Sequence, residues 1–166
     1  MPETTEIVIN TSPLIALVAA WGDLKPLATL YQHVWVPLEV CQEVLRGGIN
    51  QFAVTEFEQA NWLKKQTQPQ TISPFLLNAL DLGEAAVIQL ALAQQIATVC
   101  IDEAVGRRVA RLSGLSWTGS VGILLKAKNQ DASLSVRTAI DNMVARNIRL
   151  SPTVINFALT QAGELD

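Results

Sequence analysis

Short apolar runs, each followed at once by a polar residue and then by a helical pattern, recur along this chain and constrain its fold more than any other feature. Ile7-Val8-Ile9 is the first such run, a β-branched signature of a buried strand. It ends in Asn10-Thr11-Ser12-Pro13, where Ser12 can cap a helix and Pro13 suits the first helical position. Leu14 to Ala20 continue that helix to Gly22. His33-Val34-Trp35-Val36 predicts the next strand, and Pro37 opens a helix running to Gly47-Gly48, with Val40 and Val44 on one face.

The stretch from Ile49 to Ser73 carries the weakest pattern: a short helix, a strand around Trp62-Leu63, then a Gln/Thr/Pro loop. Asp81-Leu82-Gly83-Glu84 precedes a long apolar helix over Ala85 to Gln95. Ile96 to Ile101 predicts another strand, ending in Asp102-Glu103, and a helix then runs through Leu112 to a stop at Gly114. Leu115-Ser116-Trp117 forms a last short strand, and Ser120 caps a helix to about Lys128. Val136 to Arg146 and Pro152 to Ala162 close the chain as helices, the second capped by Ser151 and stopped by Gly163. This alternation predicts an α/β fold: an open parallel sheet with helices on both faces. No repeat or linker interrupts it, so residues 1–166 are expected to form one domain.

The bulk properties agree. Half the residues are hydrophobic and 16% are charged, and a domain near 166 residues buries about 68–70% of its unfolded surface. Cys41 and Cys100 lie far apart, in a helical and a strand pattern, and read as buried thiols suited to a reducing compartment. The Met-Pro-Glu-Thr-Thr-Glu start lacks the features of a signal peptide, and no run approaches the ~18 apolar residues of a membrane span. A cytoplasmic protein with no membrane association is the expectation. With a net charge of −3, binding to a polyanion would need a local basic patch.

Asn10, Asp102 and Thr118 each follow an apolar run directly, and in parallel sheets ligands bind outside the carboxyl ends of the strands. Each candidate also has an ordinary structural reading. Asn10-Thr11-Ser12 makes a turn and cap, or Asn10 aims its carbonyl oxygen at a metal or a phosphate-bound water. Asp102 favours the N-terminus of the following helix, or it is a site carboxylate. Asp81 and Glu84 have the spacing of a capping box, and Glu39 and Glu43 that of a solvated helix face. Arg107, Arg108 and Arg111, with Lys126 and Lys128, either hold a phosphate backbone or form surface salt bridges. No dinucleotide-binding glycine motif, P-loop or nucleophile elbow occurs, and the lone His33, at a strand start, reads as structural. Oxygen ligands without His or Cys favour Mg²⁺ or Mn²⁺ over zinc.

In order, Val8 to Ile15, Val36-Pro37 with Glu43, Leu82 to Ile88, Ile101-Asp102-Glu103, Gly106-Arg107-Arg108, and Thr118-Gly119 with Ala127-Lys128 resemble the PIN-domain nucleases. The likeness is to small prokaryotic PIN proteins and covers nearly the whole chain. It implies a three-layer α/β/α sandwich with a central parallel sheet. It also implies a metal site at Asn10, Glu43, Glu84 and Asp102, with Thr11, Ser12 or Thr118 as hydroxyl support. Cleavage of single-stranded RNA follows by the same resemblance, with Arg107 or Arg108 steering the RNA backbone. VapC-like toxins among the relatives imply a small antitoxin partner and a homodimer.

One position departs from the family. Its first acidic residue is usually Asp, and here it is Asn10. An amide offers an oxygen to Mg²⁺ or Mn²⁺ but no charge and no base, so a second metal ~3.5–4 Å away would be poorly neutralised. Two alternatives to a working ribonuclease follow. One is a weakened or inactive PIN domain that binds RNA or protein; the other is a phosphate- or nucleotide-binding domain using helix N-termini after Asn10 and Thr118. The apolar stripes Val136, Ile140, Met143, Val144 and Val154, Ile155, Ala158, Leu159 are core, with any exposed remainder free to pair with a copy or partner.

Overall fold

A computed structural model describes residues 5–165. Five short strands, β1 (Glu6–Ile9), β2 (His33–Val36), β3 (Lys64–Lys65), β4 (Thr98–Cys100) and β5 (Ser116–Thr118), form one parallel sheet. Their order is β3-β2-β1-β4-β5. The chain therefore winds outward from β1 to β3 and then returns to lay β4 on the other side of β1. That reversal opens a crevice at the carboxyl ends of β1 and β4, where sheets of this kind bind ligands.

The helices are α1 (Thr11–Trp21), α2 (Lys25–Leu30), α3 (Leu38–Arg46), α4 (Val54–Gln59), α5 (Pro74–Ala79) and α6 (Leu82–Gln94). They continue with α7 (Ala104–Leu112), α8 (Ser120–Gln130), α9 (Val136–Ala145) and α10 (Pro152–Ala162). Together with the sheet they make the expected three-layer α/β/α sandwich. α6 packs on β1, β4 and α3, while α1 lies against α9, α3 and α8. Gly83 to Ile88, Leu90 and Ala91 of α6 are all buried, as befits a helix that is apolar nearly all round and sits in the interior. Its first turn thus carries a carboxylate, Glu84, into the crevice.

Several expected boundaries move, each for a visible reason. Asn10, not Ser12, is the N-cap of α1, and Ser12 is an exposed residue within the first turn. Asn10 N–H still donates to Cys100 O (3.1 Å) in the sheet while its own carbonyl accepts from Leu14 N (3.4 Å), so strand passes to helix with no turn between. Ser120 is likewise the first residue of α8 rather than its cap. The ladder expected at Trp62-Leu63 forms at Lys64–Lys65, leaving Leu63 buried beneath. The helices α2 and α5 escaped sequence reading because each is six residues long and buries few apolar side chains. Glu39 is not on a solvated face: it is buried, and its Oε2 accepts from Gln70 N (2.9 Å).

Cys41 and Cys100 are free and buried, as expected. His33 lies 3.9 Å from Glu6 at the start of β2. Of the N-terminal segment read for a leader, residues 1–4 lie outside the described residues. Among the described residues no helix is long and apolar enough to cross a membrane. In the C-terminal stripes Val136, Ile140, Met143, Ala158 and Leu159 are core, whereas Val144 and Val154 are exposed.

Candidate functional site

Two groups of side chains meet the carboxyl edge of the sheet. The first gathers over Gly83. A methyl group placed on Gly83 would lie 3.1 Å from Asn10 Oδ1, 3.3 Å from Glu43 Oε2 and 3.7 Å from Asp81 Oδ1. Three oxygens from three segments therefore crowd one backbone position that has no side chain of its own. The strand end supplies Asn10, the packing of α3 on α6 supplies Glu43, and the turn before α6 supplies Asp81.

Glu84 follows in the same turn. Asp81 caps α6 by accepting from Glu84 N (2.9 Å), so half of the expected capping box is present. Glu84 itself does not solvate: it is 6% exposed, and its Oε2 has no hydrogen-bond partner. Burial, then the hydrogen bond and charge of Asp81, then the charge of Glu103 push its carboxyl up to about 7. Gly106 makes room for it, since a methyl there would fall on Glu84 Oε2 and within 2.8 Å of Ile101 Cγ2.

Asn10 and Thr11 share this condition. Asn10 is 5% exposed and Thr11 4%, and neither Asn10 Oδ1 nor Thr11 Oγ1 finds a partner. Buried oxygens are rarely left unbonded, because each costs about 1–3 kcal/mol of desolvation.

The second group centres on Asp102. Its Oδ1 accepts from Ser120 N (2.7 Å) and Ser120 Oγ (3.2 Å), and Arg107 Nη2 stands 3.6 Å away. The carboxylate thus caps α8, not the helix that follows it in sequence. Arg107 is held as well: Nε donates to Ile101 O (2.8 Å), and the guanidinium lies 4.3 Å from the Trp117 ring centroid.

Asp102, Glu103 and Arg107 form one wall of a groove of about 820 Å³. Ser12 and Thr118 also line it, whereas Asn10, Glu43 and Glu84 do not. Trp117, against the Arg107 guanidinium, and Arg149 and Phe157 from the C-terminal segment line it too, none of them a site candidate from the sequence. Trp117 and Phe157 stay 45% and 56% exposed, and Arg149 makes no ion pair among the described residues. Arg108 and Arg111 are exposed on α7 and do not line the groove. The lysines of the expected basic patch are engaged elsewhere. Lys126 sits 4.1 Å over the Tyr31 ring, and Lys128 Nζ donates to Ala132 O (2.9 Å) and pairs with Glu164 (3.5 Å).

A family model of the PIN domain matches residues 6–164. The chain belongs to the PIN-domain family. No curated protein and no solved structure matches it. PIN domains are of nuclease type and generally depend on a divalent metal, so the donor set of this one can be tested against that requirement. Unpartnered oxygens on Asn10 and Glu84, and the bare Gly83 floor under Asn10, Glu43 and Asp81, suit a hard, oxygen-loving cation. Among the described residues no three His, Cys, Asp or Glu side chains gather tightly enough to hold a metal by themselves. The Asn10 oxygen shares the Gly83 position with Glu43 and Asp81.

Proposed function

We propose that this PIN domain is a metal-dependent ribonuclease that hydrolyses single-stranded RNA. The observation that carries the reading is the pair of buried, unpartnered oxygens, Asn10 Oδ1 and Glu84 Oε2, at the switch point of the sheet. Glu43, Glu84 and Asp102, with Asn10 as a neutral ligand, would hold Mg²⁺ or Mn²⁺. The cation would supply Lewis acidity, making water a better nucleophile at neutral pH and offsetting charge on the phosphoryl oxygens.

The chain's own groups do the rest. Glu84, with a carboxyl near neutrality, can hold or release a proton at working pH when no cation claims it. Arg149 offers a phosphate a guanidinium that is in no ion pair among the described residues, and the exposed parts of Trp117 and Phe157 offer unstacked bases a platform. Arg107 orients Asp102 and backs the Trp117 ring. Ser12 and Thr118 are the hydroxyls beside this path, Thr11 offers its buried hydroxyl next to Asn10, and Arg108 adds charge outside the groove. The reading includes a cytoplasmic location, a homodimer, and a small antitoxin partner of the VapC type.

The test is Mn²⁺-dependent cleavage of a mixed single-stranded RNA pool by the wild type beside Asp102→Ala. Cleavage by the wild type alone supports a metal nuclease; equal cleavage by both removes Asp102 from the mechanism.

A second reading has its own support: Asn10 carries no charge, and Asp102 is already bound by Ser120 and Arg107. It makes the domain a module that binds RNA or protein without cutting. Asn10→Asp separates the two, because a scaffold otherwise intact gains cleavage, whereas a pure binding module does not.

A further inference from the structure

The four acidic positions expected of the metal site bring fewer usable charges than they should. Asn10 brings none. Asp102 spends one oxygen on Ser120 and faces Arg107 at 3.6 Å. Among the described residues Glu43 and Glu84 are the two of these carboxylates left without an ion pair or a capping duty. For oxygen-ligated cations, affinity follows the charge count of the ligands.

Asp81 stands where the deficit is. Its Oδ1 shares the Gly83 floor with Asn10 Oδ1 and Glu43 Oε2. Asn10 is nine-tenths buried and aims an unpartnered oxygen into the same space. Helix capping alone does not require an acid at this position, because Ser or Asn caps as well as Asp. Capping also leaves ligand capacity, since a carboxylate offers about four lone-pair sites, of which the Glu84 amide and the Glu84 carboxyl together take two.

We infer that Asp81 supplies the cation with the carboxylate that Asn10 withholds, serving at once as helix cap and metal ligand. This rests on the metal-site reading above. It extends that reading from the four expected positions to a fifth, and it ties two residues of different segments together: the chain tolerates Asn10 because Asp81 stands across Gly83 from it.

The experiment measures Mn²⁺ binding to the full chain, by the loss of the free-ion paramagnetic resonance signal, with no RNA present. The proteins are wild type, Asp81→Asn, Asp81→Ser, Asn10→Asp, and Asn10→Asp combined with Asp81→Asn. Both Asp81 variants keep a capping side chain, and thermal melts without metal confirm that the fold is held. The expected result is a loss of Mn²⁺ affinity of about tenfold or more in either Asp81 variant. Adding Asn10→Asp to Asp81→Asn should bring affinity back to near the wild-type value. Wild-type affinity in both Asp81 variants, or a double variant no better than Asp81→Asn, overturns the role of Asp81 and leaves the metal site itself standing. A wild-type protein that binds no Mn²⁺ overturns both.

Discussion

Asp102 and Ser120 are joined across eighteen residues of sequence: the carboxylate two residues beyond β4 accepts from both the amide (2.7 Å) and the hydroxyl (3.2 Å) that begin α8. One side chain thereby ties two strand ends together and satisfies an orphan amide that α8 would otherwise bury. A substitution here consequently tests structure and chemistry at once. Asp102→Ala should cost about 1–2 kcal/mol, the usual loss for a removed cap, in urea unfolding. Asp102→Asn keeps an acceptor for Ser120 and should cost clearly less, while losing Mn²⁺-dependent cleavage as completely. An alanine variant as stable as the asparagine one would show that the cap carries no stability.

The raised carboxyl of Glu84 makes the metal-free protein sensitive to pH. Its folded value lies at about 7 against an ordinary 4.5, so the native state holds a proton that the unfolded chain gives up earlier. The stability linked to that proton is full below 4.5 and is lost as pH rises through about 7. Melting in EDTA should therefore show a wild-type midpoint that falls relative to Glu84→Gln across this range. Excess Mn²⁺, which favours the ionised carboxylate, should lessen the fall. Parallel curves for the two proteins would show that Glu84 titrates normally.

Gly106 keeps α7 close enough to roof the Glu84 carboxyl. The methyl of Gly106→Ala would land on Glu84 Oε2 and crowd Ile101 Cγ2, with no open space to take it. Overpacking of this kind costs about 1–3 kcal/mol. Chemical denaturation is the check, and a neutral outcome would mean that α7 shifts freely. Displacement of Glu84 should also weaken Mn²⁺ binding.

The groove makes a separate prediction that needs no catalysis. In EDTA, with a labelled single-stranded RNA, Phe157→Ala or Trp117→Ala should each lose about 1–3 kcal/mol of binding, the worth of a base stacked on an aromatic ring. Arg149→Ala should lower the salt slope by about 0.7, one phosphate contact on a single strand. Fluorescence anisotropy over a salt series reads both. Because Trp117 and Phe157 are half-exposed, melting temperatures should hardly move. Unchanged affinity in all three variants would place the RNA elsewhere.

What the sequence determined by itself is the order of the layers and the ends of the main strands. Ile7-Val8-Ile9, Val34 to Val36 and Val99 to Ile101 are satisfied in an interior, and Asn10 after the first run and Asp102 after the third mark where the strand leaves it. Asn10 and Asp102 were therefore legible as crevice residues, because period and polarity are local properties of the chain. The partners of those residues were not legible. That Asp102 caps α8, that Arg107 meets Ile101 and Trp117, and that Asp81 and Asn10 both approach Gly83 all depend on which segments the sheet order brings together. The same holds for Glu39, buried although its helical spacing to Glu43 read as a solvated face, and for Arg149 and Phe157, carried to the groove from beyond α9. A hydrogen bond or an electrostatic field is set by distances of a few ångströms between residues tens of positions apart, and only the tertiary structure decides those distances.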